Sequence, residues 1–148
     1  MIKYGVAAAV AALLATPAMA GGVAVCMGST EDRQGMTDFS AYTIARSELS
    51  TVDRGALQDE AERNFRSSYR ENQRVRCRGY EGTGHYVVVR AAQALNGRVL
   101  QLLGFGFGDN RDEALANSRQ QLDEYPGYHM FIGRGGELEV IEEGSVDS

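Results

Sequence analysis

The strongest local structural signal of the chain is the stretch of residues 85–107, HYVVVRAAQALNGRVLQLLGFGF. Two apolar, β-rich runs, His85 to Leu95 and Arg98 to Phe107, are joined there by Asn96-Gly97. Asn-Gly is the preferred pair for a two-residue hairpin turn of type I′, because this turn requires a positive φ at both residues and Asn and Gly adopt it readily. The sequence therefore predicts a long β-hairpin.

The residues before this hairpin predict two strands and a helix. Phe39 to Arg46 is rich in aromatic and β-branched residues and indicates a strand, whereas the polar segment Gly28 to Thr37 is typical of a loop. Asp53 is expected to open a helix that runs to about Asn72. Arg74 to Arg78 alternates with period two and predicts a short strand. The side of the helix expected to face the core carries Leu57, Ala61, Phe65, Ser68 and Tyr69.

The residues after the hairpin predict a second helix and a second hairpin. Asn110, with Glu113 three residues later, resembles a capping box. The helix that it opens is expected to end at Tyr125-Pro126-Gly127. Tyr128 to Ile132 and Leu138 to Ile141 are expected to form the two strands of the second hairpin, and the residues from Glu142 onward are expected to be frayed.

This order of elements predicts an α+β fold, with an antiparallel sheet and two helices on one face. Either a ferredoxin-like sandwich or a duplicated strand–helix–strand arrangement fits the order. Two short matches favour duplication: residues 42–46 parallel residues 86–90, and residues 59–61 parallel residues 112–114.

The first 20 residues have the form of a secretory signal peptide. Lys3 supplies a positive charge, an apolar run extends from Gly5 to Ala15, and Ala18-Met19-Ala20 has the small-x-small pattern of a cleavage site. We expect a mature protein of residues 21–148 that forms one domain and is periplasmic or secreted, without a stable membrane anchor.

Cys26 and Cys77 are the only cysteines of the chain. In an exported protein an even pair predicts a disulfide, which would pin the N-terminal segment to the body of the domain. Two alternatives stay open. Cys26 could be the lipidated residue of a lipoprotein, although Val25 precedes it where a small residue is usual. A catalytic thiolate would need a histidine partner.

The composition argues against general nucleic-acid binding. The mature chain has 14 Arg and no Lys against 20 Asp plus Glu, so its formal net charge changes from −5 to −6 when Lys3 is removed. Nucleic-acid binding requires an excess of positive charge to neutralise phosphates. Gly104 to Phe107 resembles the centre of the RNA-recognition motif, but Leu103 stands where that motif has a basic residue.

The run from Gly104 to Gly108 directly precedes the second predicted helix. Its spacing, G-x-G-x-G followed by Asp109, matches neither the dinucleotide fingerprint nor the P-loop. We therefore interpret it as a strand whose glycine face lets a helix approach closely, while Phe105 and Phe107 point to the other side.

A second resemblance covers more of the chain. Arg76-Cys77-Arg78, the following Val87-Val88-Val89 strand, the Gly-aromatic-Gly run and Asp112-Glu113-Ala114-Leu115 resemble small exported bacterial proteins of unknown function. That family has repeated Gly-aromatic strand, Ala-rich helix and Cys units. The resemblance implies a compact periplasmic or secreted domain, and some domains of this class act as immunity proteins or inhibitors.

Catalytic and metal-ligating patterns are weak, so no metal and no cofactor are predicted. His85 and His129 are the only histidines, and each is expected to begin a strand at opposite edges of a sheet. A small exported hydrolase would need Asp109 or Asp112 as a base near the end of the glycine-rich strand. The sequence offers no nucleophile beside either carboxylate.

Charge segregation carries the main functional hypothesis. Residues 63–78 contain six arginines and one acid, whereas residues 137–148 contain five acids and no base. Guanidinium groups suit carboxylates and phosphates. We expect a non-enzymatic binding or inhibitor-type protein that contacts a protein or an anionic envelope component. A self-associating envelope protein with an exposed sheet edge is a further alternative. The predicted binding residues are Arg63, Arg66, Arg70, Arg74, Arg76 and Arg78.

Overall fold

The computed structural model describes residues 21–31, 37–48, 53–69, 74–95, 97–125, 128–133 and 135–147. These residues form strands β1 (Gly22–Glu31), β2 (Thr37–Ser47), β3 (Arg74–Glu81), β4 (Gly84–Leu95), β5 (Arg98–Gly108) and β6 (Glu137–Val146). They also form helices α1 (Arg54–Ser68), α2 (Arg111–Asp123) and α3 (Tyr128–Gly133). The predicted signal peptide, residues 1–20, lies outside the described residues.

The strands form two antiparallel three-stranded sheets, ordered β2-β1-β3 (sheet 1) and β5-β4-β6 (sheet 2). In each sheet the first strand along the chain is central and the second is one edge. The strand that follows the helix is the other edge. The predicted α+β class is confirmed, and its repeating unit is strand–strand–helix–strand.

The repeat is present in topology but not at the residues that suggested it. Residues 42–46 lie in the edge strand β2, whereas residues 86–90 lie in the central strand β4. The N-caps Asp53 and Asn110 occupy equivalent places in the two units. Alignment on these caps pairs Ala61 with Ser118 rather than with Ala114, and all three residues are buried.

The two sheets pack face to face, and the two long helices, α1 and α2, each cover the outer face of one sheet. Ala24 and Cys26 of β1 lie in a cluster with Leu57, Ala61 and Phe65 of α1. The alternate β1 residues Val23, Val25 and Met27 belong to a larger core shared with β4, β5 and α2. Helices α1 and α2 therefore lie on opposite outer faces of a two-sheet sandwich, rather than on one face of a single sheet.

The prediction of a loop from Gly28 to Thr37 is wrong at both ends, where the structure has strands. β1 continues to Glu31 and β2 begins at Thr37, and Ser29 pairs with Phe39 across a bulge. The strand escaped prediction because β1 is buried on both faces. Its sequence therefore lacks the apolar–polar alternation that marks a half-exposed strand.

Both helix ends and strand ends differ from expectation elsewhere. α1 ends at Ser68 rather than near Asn72, and Ser68 and Tyr69 are exposed rather than in the core. Tyr128 to Ile132 lies in the short helix α3, so the second predicted hairpin is absent, but its other predicted strand, Leu138 to Ile141, is confirmed as part of β6. The residues from Glu142 are not frayed, since β6 pairs with β4 as far as Val146. No helix among the described residues has the length and apolar character to span a membrane.

The predicted hairpin and glycine-faced strand are confirmed. β4 and β5 pair in register up to Leu95 and Arg98, and Gly97 has a φ of 76°. A Cβ on Gly104 or Gly106 would collide with backbone atoms of α2, at Ser118 and Ala114. On the other face, Phe105 and Phe107 stack against Tyr80 of sheet 1, with centroid distances of 5.8 and 5.3 Å. The glycines thus allow the helix to approach, and the phenylalanines join the sheets.

Candidate binding surface

The arginines of β3 alternate with residues that pack against α1. Val75 and Cys77 contact the cluster under α1, and a Cβ on Gly79 would meet the side chains of Arg54 and Gln58. Successive side chains of a strand point to opposite faces. The side chains of Arg74, Arg76 and Arg78, here called the arginine face of β3, therefore lie on the side of sheet 1 away from α1. This is also the side on which Tyr80 packs against sheet 2, but the arginines lie at its margin because β3 is an edge strand. All three residues are exposed.

A cysteine pair links the strand that carries the arginine face to the centre of sheet 1. Cys26 of β1 lies directly opposite Cys77 of β3, and their sulfur atoms are 2.05 Å apart, which is disulfide distance. β3 is an edge strand that pairs only with β1 among the described strands. The link therefore fixes the register of the edge strand that carries the arginines.

The end of α2 borders the arginine face. Arg78 donates a hydrogen bond to Glu124 at 3.2 Å. Burial lowers the pKa of the Arg78 guanidinium, but hydrogen bonding and charge interactions with Glu124 and Tyr80 outweigh this effect, so its pKa is raised overall. Burial also raises the pKa of the Tyr125 phenol, against the opposing charges of Arg78 and Arg76. The pattern in the sequence gave no sign that Glu124 and Tyr125 would lie here.

The helix arginines do not join this surface. Arg63 and Arg66 are exposed on α1, which covers the opposite face of sheet 1 from the β3 arginines. Arg66 donates to Glu62 at 2.9 Å, as the i,i+4 spacing predicts for a solvated helix pair. Arg70 lies outside the described residues. The six predicted binding arginines thus include three on the arginine face of β3 and two on the opposite side.

The acidic C-terminal segment does not neutralise the arginine face through the ion pairs of the described residues. Glu139 of β6 pairs with Arg90 at 2.6 Å, and Glu143 pairs with Arg111 at 2.8 Å. These partners lie on β4 and α2. Arg78 is paired with Glu124, whereas Arg74 and Arg76 form no ion pair with another described residue. Among the described residues, the acidic segment therefore forms no ion pair with the arginines of β3.

A recess lies at the end of sheet 2 where β4 begins and β5 and β6 end. It is a shallow cleft of about 410 Å³ lined by Thr83, Gly84, His85, Asp109, Val146 and Asp147. Asp112, the other carboxylate proposed as a base, lies in the first turn of α2 and is not part of this lining. His129 lies in α3, not at the start of a strand, and is 3.8 Å from Asp123. The described residues hold no group of three or more potential metal ligands.

The chain has no recognisable relative in the comparisons with known proteins. No protein-family model matches it, and no curated protein or solved structure is significantly similar to it.

Proposed function

We propose that this chain is an exported, non-enzymatic binding protein of the inhibitor type. Its partner is an acidic protein or an anionic envelope component, and its contact surface is the arginine face of β3. The single observation that carries the proposal is the placement of Arg74 and Arg76 on an exposed edge strand without an ion-pair partner among the described residues. Such guanidinium groups are available to carboxylates or phosphates of another molecule.

Export rests on two features of the chain. Residues 1–20 have the charge, the apolar run and the small-x-small ending of a signal peptide. The cysteine pair at disulfide distance is compatible with an oxidising compartment. The periplasm or the extracellular space is therefore the proposed location.

The proposed contact surface includes the strand arginines and excludes the helix arginines. Since the helix and strand arginines lie on opposite sides of sheet 1, one flat partner surface would not engage both sets. Arg66 is also engaged with Glu62. The proposal therefore assigns the main contact to the strand and leaves the helix arginines as a solvated face.

Charge reversal on β3 tests the proposal. The full chain is expressed with its leader, the exported product is purified, and capture of envelope components is compared between the wild-type protein and an Arg74→Glu/Arg76→Glu variant. We expect the variant to capture at least about tenfold less, because reversal turns attraction into repulsion at the contact. Capture should also weaken with added salt.

The matched control is Arg63→Glu/Arg119→Glu, which changes the net charge equally at exposed positions on α1 and α2. We expect this control to capture as the wild-type protein does. Equal capture by the β3 variant, or a loss confined to the control, would contradict the proposed surface. Circular dichroism of all three proteins would show whether the fold is retained.

A further inference from the structure

The backbone of β3 has N–H and C=O groups that point to the unpaired edge of sheet 1. The Cα atoms of Cys26 and Cys77 are 4.1 Å apart, a spacing typical of a non-hydrogen-bonded antiparallel pair. In such a pair the N–H and C=O groups of each residue point away from the partner strand. The backbone groups of Cys77, and by alternation those of Val75 and Gly79, therefore face the open edge.

A side-chain contact agrees with this alternation. The Ser29 hydroxyl of β1 donates to the Arg74 carbonyl at 3.5 Å, so the Arg74 carbonyl faces β1. Arg74, Arg76 and Arg78 are alternate residues of the strand, so their backbone groups point to the same side. The arginines thus pair with β1 through their backbones, and the residues between them present their backbones to the open edge.

The edge strand β5 of sheet 2 is protected in a way that β3 is not. The Gln101 N–H donates to the Asp38 carboxylate at 2.8 Å, and the Phe105 N–H donates to the side chain of Gln121. Asn117 donates to the Phe107 carbonyl at 2.8 Å. Side chains of the chain itself therefore form hydrogen bonds with outward-facing backbone groups of three β5 residues. Covering an edge in this way hinders the addition of another strand.

The outward groups of β3 have no such partners among the described residues. No hydrogen bond within that part of the chain reaches the outward backbone groups of Val75, Cys77 or Gly79. An unpaired edge is a template for another strand. Here the template is fixed in register by the Cys26–Cys77 pair.

The alternation also specifies which side chains an added strand should carry. Residues opposite Arg74, Arg76 and Arg78 would form non-hydrogen-bonded pairs with β3, in which cross-strand side chains lie closest. Opposite charges in such pairs stabilise the sheet, and like charges destabilise it. A strand with a carboxylate at every second residue is therefore complementary, whereas a second β3 is repelled.

We propose that the edge of β3 binds an extended segment of a partner protein as an additional strand, with carboxylates at alternating positions facing the arginine face. This proposal rests on the function proposed above and names its binding mode, which is β-strand addition. The backbone would provide the hydrogen bonds, and Arg74 and Arg76 would select the acidic side chains.

Another copy of this chain is a weaker occupant. Its acidic edge strand β6 offers Glu139 and Glu143, but these carboxylates already pair with Arg90 and Arg111. Ser145 of β6 also accepts a hydrogen bond from Arg46 through its carbonyl, at 3.2 Å. The β6 edge is therefore partly occupied within its own molecule, unlike a free acidic segment.

Backbone-methylated peptides test the binding mode. The parent peptide alternates Glu and Thr over the length of β3, which is 8 residues. Its threonine amides would bond to β3, because they lie opposite Val75, Cys77 and Gly79, whereas its glutamate amides would point to solvent. We expect N-methylation at threonine to weaken binding at least about tenfold, and N-methylation at glutamate to change it less than about twofold.

The controls separate this proposal from the proposed function. Equal binding of both methylated peptides would overturn strand addition and leave an electrostatic contact. Absence of peptide binding would overturn the assigned segment chemistry. The proposed function would survive that result if Arg74→Glu/Arg76→Glu still abolished capture of envelope components, and would fall with it if capture persisted. Light scattering tests whether another copy of this chain binds the edge. A molecular mass that rises with protein concentration for the wild-type protein, but not for the Arg74→Glu/Arg76→Glu variant, would show that it does. That result would overturn the partner proposed here.

Discussion

Replacement of Gly106 by alanine is expected to destabilise the protein by about 3 kcal/mol or more, or to prevent folding. A Cβ at this position would collide with the Ala114 carbonyl and the Ser118 amide of α2. Both are backbone atoms inside a helix, so neither can rotate away as a side chain would. α2 would have to move off sheet 2, and Leu122 and Ala114 would lose their place in the core.

Denaturant unfolding of Gly106→Ala beside Gly133→Ala measures this effect. Gly133 lies in α3 and does not have a positive φ, and a Cβ at this position would meet no atom within 4 Å. The same chemical change should therefore be tolerated there. If Gly106→Ala unfolds at the same denaturant concentration as the wild-type protein, the close approach of α2 to β5 described above is incorrect.

Reduction of the Cys26–Cys77 pair is expected to lower the free energy of unfolding by about 4 kcal/mol. The two cysteines are 51 residues apart in the sequence, so a disulfide removes considerable loop-closure entropy from the unfolded chain. For a domain of this size, the melting temperature should fall by about 10 °C or more. Cys26→Ala/Cys77→Ala should show a similar loss without reductant.

Thermal melts with and without reductant, together with thiol labelling of the unfolded protein, provide the measurement. We expect no free thiol before reduction and two thiols after it. The alanine variant should not respond to reductant, which makes it the control for direct effects of the reagent. Free thiols in the exported protein, or a melting temperature unchanged by reduction, would exclude a stabilising disulfide.

The elements predicted well from the sequence are those with a local determinant. The β4–β5 hairpin follows from Asn96-Gly97, and β3 follows from strict alternation of arginine with smaller residues. The start of α2 follows from Asn110, whose side chain accepts a hydrogen bond from the Glu113 amide at 2.9 Å. Each signal lies within a few residues of the element that it specifies.

The elements missed are those whose environment comes from distant parts of the chain. β1 is central in sheet 1 and covered on both faces, so its sequence lacks alternation. The residues from Glu142 were expected to be frayed, yet they continue β6 to Val146, and Glu143 pairs with Arg111 across 32 residues of sequence. Tyr128 to Gly133 is too short for periodicity to distinguish helix from strand.

The candidate site shows the same division. The alternation of residues 74–78 placed three arginines on one face of a strand, and all three arginines are exposed in the structure. The separation of Arg63 and Arg66 from that face depends on which side of sheet 1 is covered by α1. Nothing local to the arginines specifies that packing, so the sequence suggested one continuous surface where the structure has two.

Amide hydrogen exchange along β3, resolved residue by residue, tests most directly whether this edge is open and takes part in binding. In the free protein we expect fast exchange at Val75, Cys77 and Gly79, whose amides face outward, and slow exchange at Arg76 and Arg78, whose amides bond to β1. The three outward amides should become protected when the partner or the alternating peptide is bound. Slow exchange at all five amides in the free protein, or unchanged fast exchange at the outward three in the complex, would contradict a role for the β3 edge.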